Sequence, residues 1–119
     1  IWNSYDESAD WLAELRRRVR ARAGDAPRYT TGRWRLAFEA GSPFTPLGTR
    51  SFRHVQRVGC ETLVDRVAST SYIAALPEDE HEAFRAEVRR LLDERPETRG
   101  REILEVPYRT DVFVCTASA

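Results

Sequence analysis

Thr49-Arg50-Ser51-Phe52-Arg53-His54-Val55-Gln56-Arg57-Val58 is the stretch on which the reading of this chain turns. Its side chains alternate with period two. Phe52, His54, Gln56 and Val58 fall on one face, and Arg53, Val55 and Arg57 fall on the other. That is the pattern of a strand, and Gly59 ends it. Beyond the break, Leu63, Val64, Val67 and Ser71 recur at helical spacing. A helix is expected from Cys60 to about Ala75, weakened where Ser69-Thr70-Ser71 compete for backbone hydrogen bonds. Pro77 opens a second helix, whose acidic first turn, Glu78-Asp79-Glu80, suits the positive helix end. Phe84, Val88, Leu91 and Leu92 form its inner stripe, and it stops before Pro96. Ile103–Val106 and Tyr108–Cys115 read as a closing strand, kinked or bulged at Pro107 and buried on both faces.

Upstream, Ile1-Trp2-Asn3 reads as the tail of a strand. Ser4 and Glu7 have the spacing of a capping box. It predicts a helix from about Tyr5 to Ala23, with Trp11, Leu12, Leu15 and Val19 on one face and Gly24 as its stop. A short second helix is expected over Arg33–Ala40, with Trp34, Ala37 and Phe38 inward. Residues 1–46 thus read as a helical insertion or lid, and residues 47–119 as strand-helix-helix-strand. Two strands alone make no stable sheet, so they are expected to join a larger sheet or to pair between copies of the chain. Met is absent, even at position 1, and a segment N-terminal to Ile1 is expected.

With 119 residues the chain holds one core, and 41% hydrophobic with 32% charged residues excludes a disordered or fibrous chain. No apolar run approaches the roughly 20 residues of a membrane helix, and Asp, Glu and Arg interrupt residues 1–30, so no secretory leader is read there. All 19 basic residues are arginine, and 19 acidic residues balance them. A neutral chain has no global field for a polyanion, which argues against a nucleic-acid partner. Locally the balance is uneven. Residues 1–59 hold 11 arginines against 6 acids, residues 60–119 hold 8 against 13, and Arg16–Arg35 holds 8 arginines opposed only by Asp25. This is either a solvated face attracted to the acidic half or a surface for a phosphate or carboxylate. Cys60 and Cys115 form no metal-ligand pattern and are read as reduced, packed thiols of a cytoplasmic protein, with a Cys60–Cys115 disulfide as the alternative.

Several stretches taken together resemble one family. Trp2-Asn3, Asp6-Glu7 and Trp11 are similar to the segment after the fifth strand of class I S-adenosylmethionine-dependent methyltransferases. Phe52–Arg57 resembles the sixth-strand region of an actinobacterial-type, small-molecule branch. Val67–Pro77 is similar to the helix pair that follows, and Pro107–Phe113 to the closing strand. The resemblance implies an α/β fold, of which this chain is the C-terminal part: the last two strands of a Rossmann-like sheet plus a helical cover, seen alone as a mixed α+β fragment. In that family S-adenosylmethionine lies on a Gly-rich loop and an acidic residue of the N-terminal half. Neither is present here, so the cofactor is expected to be bound mainly by the missing part, with no cofactor or metal ligand in this chain. A methyl-transfer enzyme chiefly aligns donor with acceptor and excludes water, and needs a base only for an acceptor that loses a proton.

On that resemblance the chain faces a small-molecule methyl acceptor. Trp2, Asn3, Trp11, Trp34, Gln56, Tyr72 and Arg109 are the candidate substrate contacts, and His54 is the candidate catalytic base. Each has a structural alternative: a packed histidine at 54, a backbone-satisfying Gln56, core packing at Trp11 and Trp34, and a local ion pair in Arg109-Thr110-Asp111. The arginines near Trp34 suggest an anionic or carboxylate-bearing acceptor. The competing reading is a small self-associating interaction domain with no catalytic activity, and open strand edges are in any case expected to drive self-association.

Overall fold

In the computed structural model, which describes residues 1–118, the alternation around His54 becomes a twelve-residue strand, β2 (Gly48–Gly59). It pairs antiparallel with β3 (Ile103–Val114) in one constant register, from Gly48 opposite Val114 to Gly59 opposite Ile103. A third strand, β1 (Trp2–Tyr5), pairs antiparallel with the other side of β3, Trp2 opposite Asp111 and Tyr5 opposite Tyr108. The sheet order is β1-β3-β2. The chain is therefore a small mixed α/β structure on a three-stranded antiparallel sheet, in which the strand tail read at Ile1–Asn3 runs on to Tyr5, inside the segment read as helical.

The expected kink at Pro107 does not form, since Pro107 lies directly opposite Val55. Its carbonyl accepts from the Asp6 amide at 2.9 Å, so its main chain faces the β1 side, one step beyond the last residue of β1. The missing N–H falls where that ladder ends, and the ladder to β2 is untouched. Nor is β3 buried on both faces. Leu104, Val106 and Tyr108 are buried, while Ile103, Glu105 and Arg109 between them are exposed. Helices cover only one face of this part of the sheet, as antiparallel sheets allow.

Helix α1 (Asp10–Arg20) begins five residues later than the capping-box reading, because β-pairing with Tyr108 claims Tyr5. Asp6 turns the chain instead: its Oδ1 accepts from the Ser8 amide at 3.0 Å and the Ser8 hydroxyl at 2.7 Å. Glu7 pairs with Arg20 at 3.0 Å. The helix expected over Cys60–Ala75 is two, α2 (Cys60–Ala68) and α3 (Ser71–Ala74), divided at Thr70, whose ψ of 131° is extended. Helix α4 (Glu78–Glu94) follows the sequence expectation. The expected helix over Arg33–Ala40 is a 3₁₀ turn, Arg33–Phe38, in which Trp34 and Phe38 are half-buried and Ala37 is exposed rather than inward.

Leu12 and Leu15 of α1, Leu63 and Val64 of α2, Phe84 and Val88 of α4, and Leu104 and Val106 of β3 make the centre of the core. By strand alternation Trp2, Asp111 and Phe113 belong to the opposite face. There the segment between α1 and β2 lies over the sheet: Tyr29 stacks on Trp2 at 4.8 Å, and Trp34 meets Phe113 edge-on at 4.7 Å. Most of β2 projects past the helices, with only Val58 buried. The radius of gyration shows the result, 17.2 Å against about 13.5 Å for a compact chain of this length.

Candidate functional site

A cleft of about 600 Å³ runs along β1 and is lined by all four of its residues. Its walls come from the last turns of α1 (Arg16, Val19, Arg20), the following loop (Arg28, Tyr29, Thr30), the α2–α3 junction (Arg66, Val67, Thr70, Tyr72) and the sheet (Gln56, Tyr108). Four arginines and five aromatic rings line it, and no Asp, Glu or His is among the described lining residues.

The local folding explains the arrangement. Trp11, Leu12, Leu15 and Val19 anchor α1 to the core, which turns Arg16 and Arg20 toward β1. The division at Thr70 brings Tyr72 back against the sheet, partly buried against the core. Arg66 crosses from α2 to β2 and β3, donating to Gln56 Oε1 at 2.9 Å and to the Tyr108 hydroxyl at 2.5 Å. Tyr5 lies beside Tyr108, ring centroids 5.2 Å apart, with the Arg16 guanidinium 5.9 Å from its ring centre. Burial pushes the Tyr5 phenol up to about 12, and the neighbouring Tyr108 adds to the shift. At neutral pH Tyr5 is thus a hydrogen-bond donor and not a base.

The basic run of the first half divides by role. Arg17 and Arg18 pair with Glu14 at 2.7 and 2.8 Å, and Arg22 pairs with Glu87 at 2.5 Å across to α4. Arg16 and Arg28 make no ion pair among the described residues. The Nε atoms of Arg20 and Arg28 are buried and donate to nothing described.

Of the substrate contacts expected from sequence, the cleft brings together Trp2, Asn3, Gln56 and Tyr72. Trp34 lines a neighbouring hollow of about 820 Å³ that shares Trp2, Arg28 and Tyr29 with the first. Arg109 borders a smaller one of about 300 Å³ and donates to Asp111 at 3.1 Å, the local ion pair foreseen as the alternative. Trp11 is in the core at 4% exposure and lines none of these hollows. His54 is exposed and stacks flat on Tyr108, centroids 5.3 Å apart, outside the cleft lining. Sequence reasoning missed Tyr5 and Arg66 as lining residues. Arg16, Arg20 and Arg28 were signalled by their unopposed run, and Arg66 had no signal at all.

Asp111 organises the opposite face. Buried at 5% exposure, it accepts from Ser51 at 2.5 Å, Tyr29 at 2.6 Å and Arg109 at 3.1 Å. The Ser51 bond first, then the Tyr29 bond, hold its carboxyl below the usual range. Tyr29 is pushed up in turn, by burial before the bond itself. Both thiols are free, and burial raises that of Cys60.

The described residues do not fit the methyl donor's nucleoside. The strand-to-helix turn at Gly59–Cys60 holds a single glycine, and a side chain there would meet Thr62 Oγ1 at 3.7 Å and the Glu102 carbonyl at 4.0 Å. That is an ordinary packed turn with no run of glycines to cradle a ligand. No cluster of three metal-ligating side chains occurs among the described residues, and no helix is long and apolar enough to cross a membrane.

The chain is similar to an uncharacterized methyltransferase-like protein of Schizosaccharomyces pombe, 26% identical over 113 residues. The match covers 95% of this chain and 44% of that protein, so the chain spans less than half the length of the curated relative. No family model matches, and no solved structure matches. The similarity is a methyltransferase-like relationship along nearly the whole chain.

Proposed function

We propose that this chain is the acceptor side of an S-adenosylmethionine-dependent methyltransferase of Rossmann-like, class I type, acting on a small molecule. The observation that carries the reading is the match to a methyltransferase-like protein along 95% of the chain, while only 44% of that protein is accounted for. A part of a whole enzyme has that relation to it, and the order of the strand and helix motifs resembles that of a C-terminal part. Trp2, Asn3, Gln56 and Tyr72 contact the acceptor in the cleft along β1, and water is excluded by the rings around it. His54, beyond Tyr108, serves as base only for an acceptor that loses a proton. The donor is held by residues outside this chain, in a cytoplasmic enzyme.

Calorimetry tests this reading. The protein expressed from its complete reading frame should bind S-adenosylmethionine, and residues 1–119 alone should not. Absence of donor binding by the complete protein would remove the proposal.

The interaction-domain reading is favoured by one observation, the long open edge of β2 with Phe52 and Val55 about half exposed. Sedimentation decides it: a complete protein that self-associates through β2 and binds no donor belongs to that class.

A further inference from the structure

The cleft along β1 carries charge that nothing described neutralises. Arg66 gives its hydrogen bonds to two neutral acceptors, Gln56 Oε1 and the Tyr108 hydroxyl. Among the described residues Arg16 makes no ion pair, and Arg28 makes none while its Nε is buried without an acceptor. Arg20, the fourth arginine of the lining, pairs with Glu7 at 3.0 Å, and the remaining lining is aromatic or neutral. Guanidinium groups so placed, with rings between them and no acid, are the complement of a flat body that bears an anionic group.

We propose that the cleft binds a small carboxylic acid with a flat apolar body, its carboxylate on Arg16, Arg28 and Arg66 and its body against Trp2 and Tyr72. Resting on the methyl-transfer reading, this compound is the methyl acceptor. A singly charged carboxylate is favoured over a doubly charged phosphate because α1 offers the cleft its last turns, the negative end of its dipole, which opposes the larger negative charge more strongly. The anion site also differs from the one the sequence suggested, since Trp34 and Arg33 line the neighbouring hollow.

The test is calorimetric titration of the complete protein with trans-cinnamate and with trans-cinnamamide, which has the same body without the charge. Cinnamate should bind at least tenfold tighter than the amide, and the preference should weaken as salt is raised. Arg16→Gln should reduce the preference several-fold, cinnamate affinity falling much more than amide affinity. Because Arg16 makes no hydrogen bond or ion pair among the described residues, this variant should keep the wild-type melting temperature, unlike Arg66→Gln, which also removes the bonds to Tyr108 and Gln56. Equal affinities for the two probes, no binding of either by folded protein, a preference unchanged in Arg16→Gln, or displacement of cinnamate by an equal concentration of inorganic phosphate would each overturn the proposal. Donor binding, measured separately, distinguishes the two readings. Donor bound without carboxylate preference overturns this acceptor class and leaves methyl transfer standing. Carboxylate preference without donor binding upholds the anion site and removes methyl transfer.

Discussion

Asp111 shows what one buried carboxylate contributes to this sheet. Three donors from three separate segments, Tyr29, Ser51 and Arg109, converge on it, so the loop over the far face is tied to β2 and β3 through one side chain. Asp111→Ala should cost about 1–3 kcal/mol of stability, read by urea denaturation, because buried donors lose their acceptor. Its carboxyl is held below the usual range when folded, so the folded state prefers the ionised form. The contribution is complete above the unfolded pKa of about 4 and fades as pH falls through the folded value. The melting-temperature gap between wild type and Asp111→Asn should therefore be constant near neutrality and close on acidification; a gap independent of pH down to the acid transition would contradict the assignment. Arg109 and Asp111 were legible in sequence only as neighbours along a strand. Their partners Tyr29 and Ser51 lie 82 and 60 residues away from Asp111, a distance that local pattern does not bridge.

At the scale of elements, periodicity read what depended on side-chain spacing and missed what depended on competition. Helix α4 and strand β2 carry long unbroken patterns, and their bounds follow the sequence closely. The Ser4–Glu7 capping signal is local, and a non-local pairing with β3 overrode it. The weakness at Ser69–Ser71 was visible, but its consequence, a full division that returns Ile73 to the core at 0% exposure, came from packing. Phe84 tests which element holds the helical layer. It is 1% exposed, with Arg22 of the loop after α1 4.7 Å from its ring centre. Phe84→Ala should cost about 3–5 kcal/mol in urea denaturation, as a large buried ring is replaced by a cavity. A cost below about 1 kcal/mol would mean that α4 is not packed as described.

For the whole molecule, the opposed charges of the two halves serve two ends. Arg18 and Arg22 reach Glu87 and help join α1 to α4, while Arg16, Arg20 and Arg28 face the cleft. The sequence showed the imbalance but not its division, because which arginine points where depends on how α1 is rotated against the core. Elongation to 55 Å follows from the projecting β2–β3 ribbon, which keeps Phe52, Val55 and Val114 exposed. Holding the acceptor of a methyl transfer is the role proposed for these residues. Its most direct test is transfer of label from methyl-tritiated S-adenosylmethionine, incubated with the protein from its complete reading frame and a small-molecule extract. Label should enter compounds retained on an anion exchanger at high pH or their base-labile methyl esters, at a rate reduced at least tenfold by Arg66→Gln. No label leaving the donor in the presence of folded protein, or transfer at an equal rate by wild type and Arg66→Gln, would contradict that role.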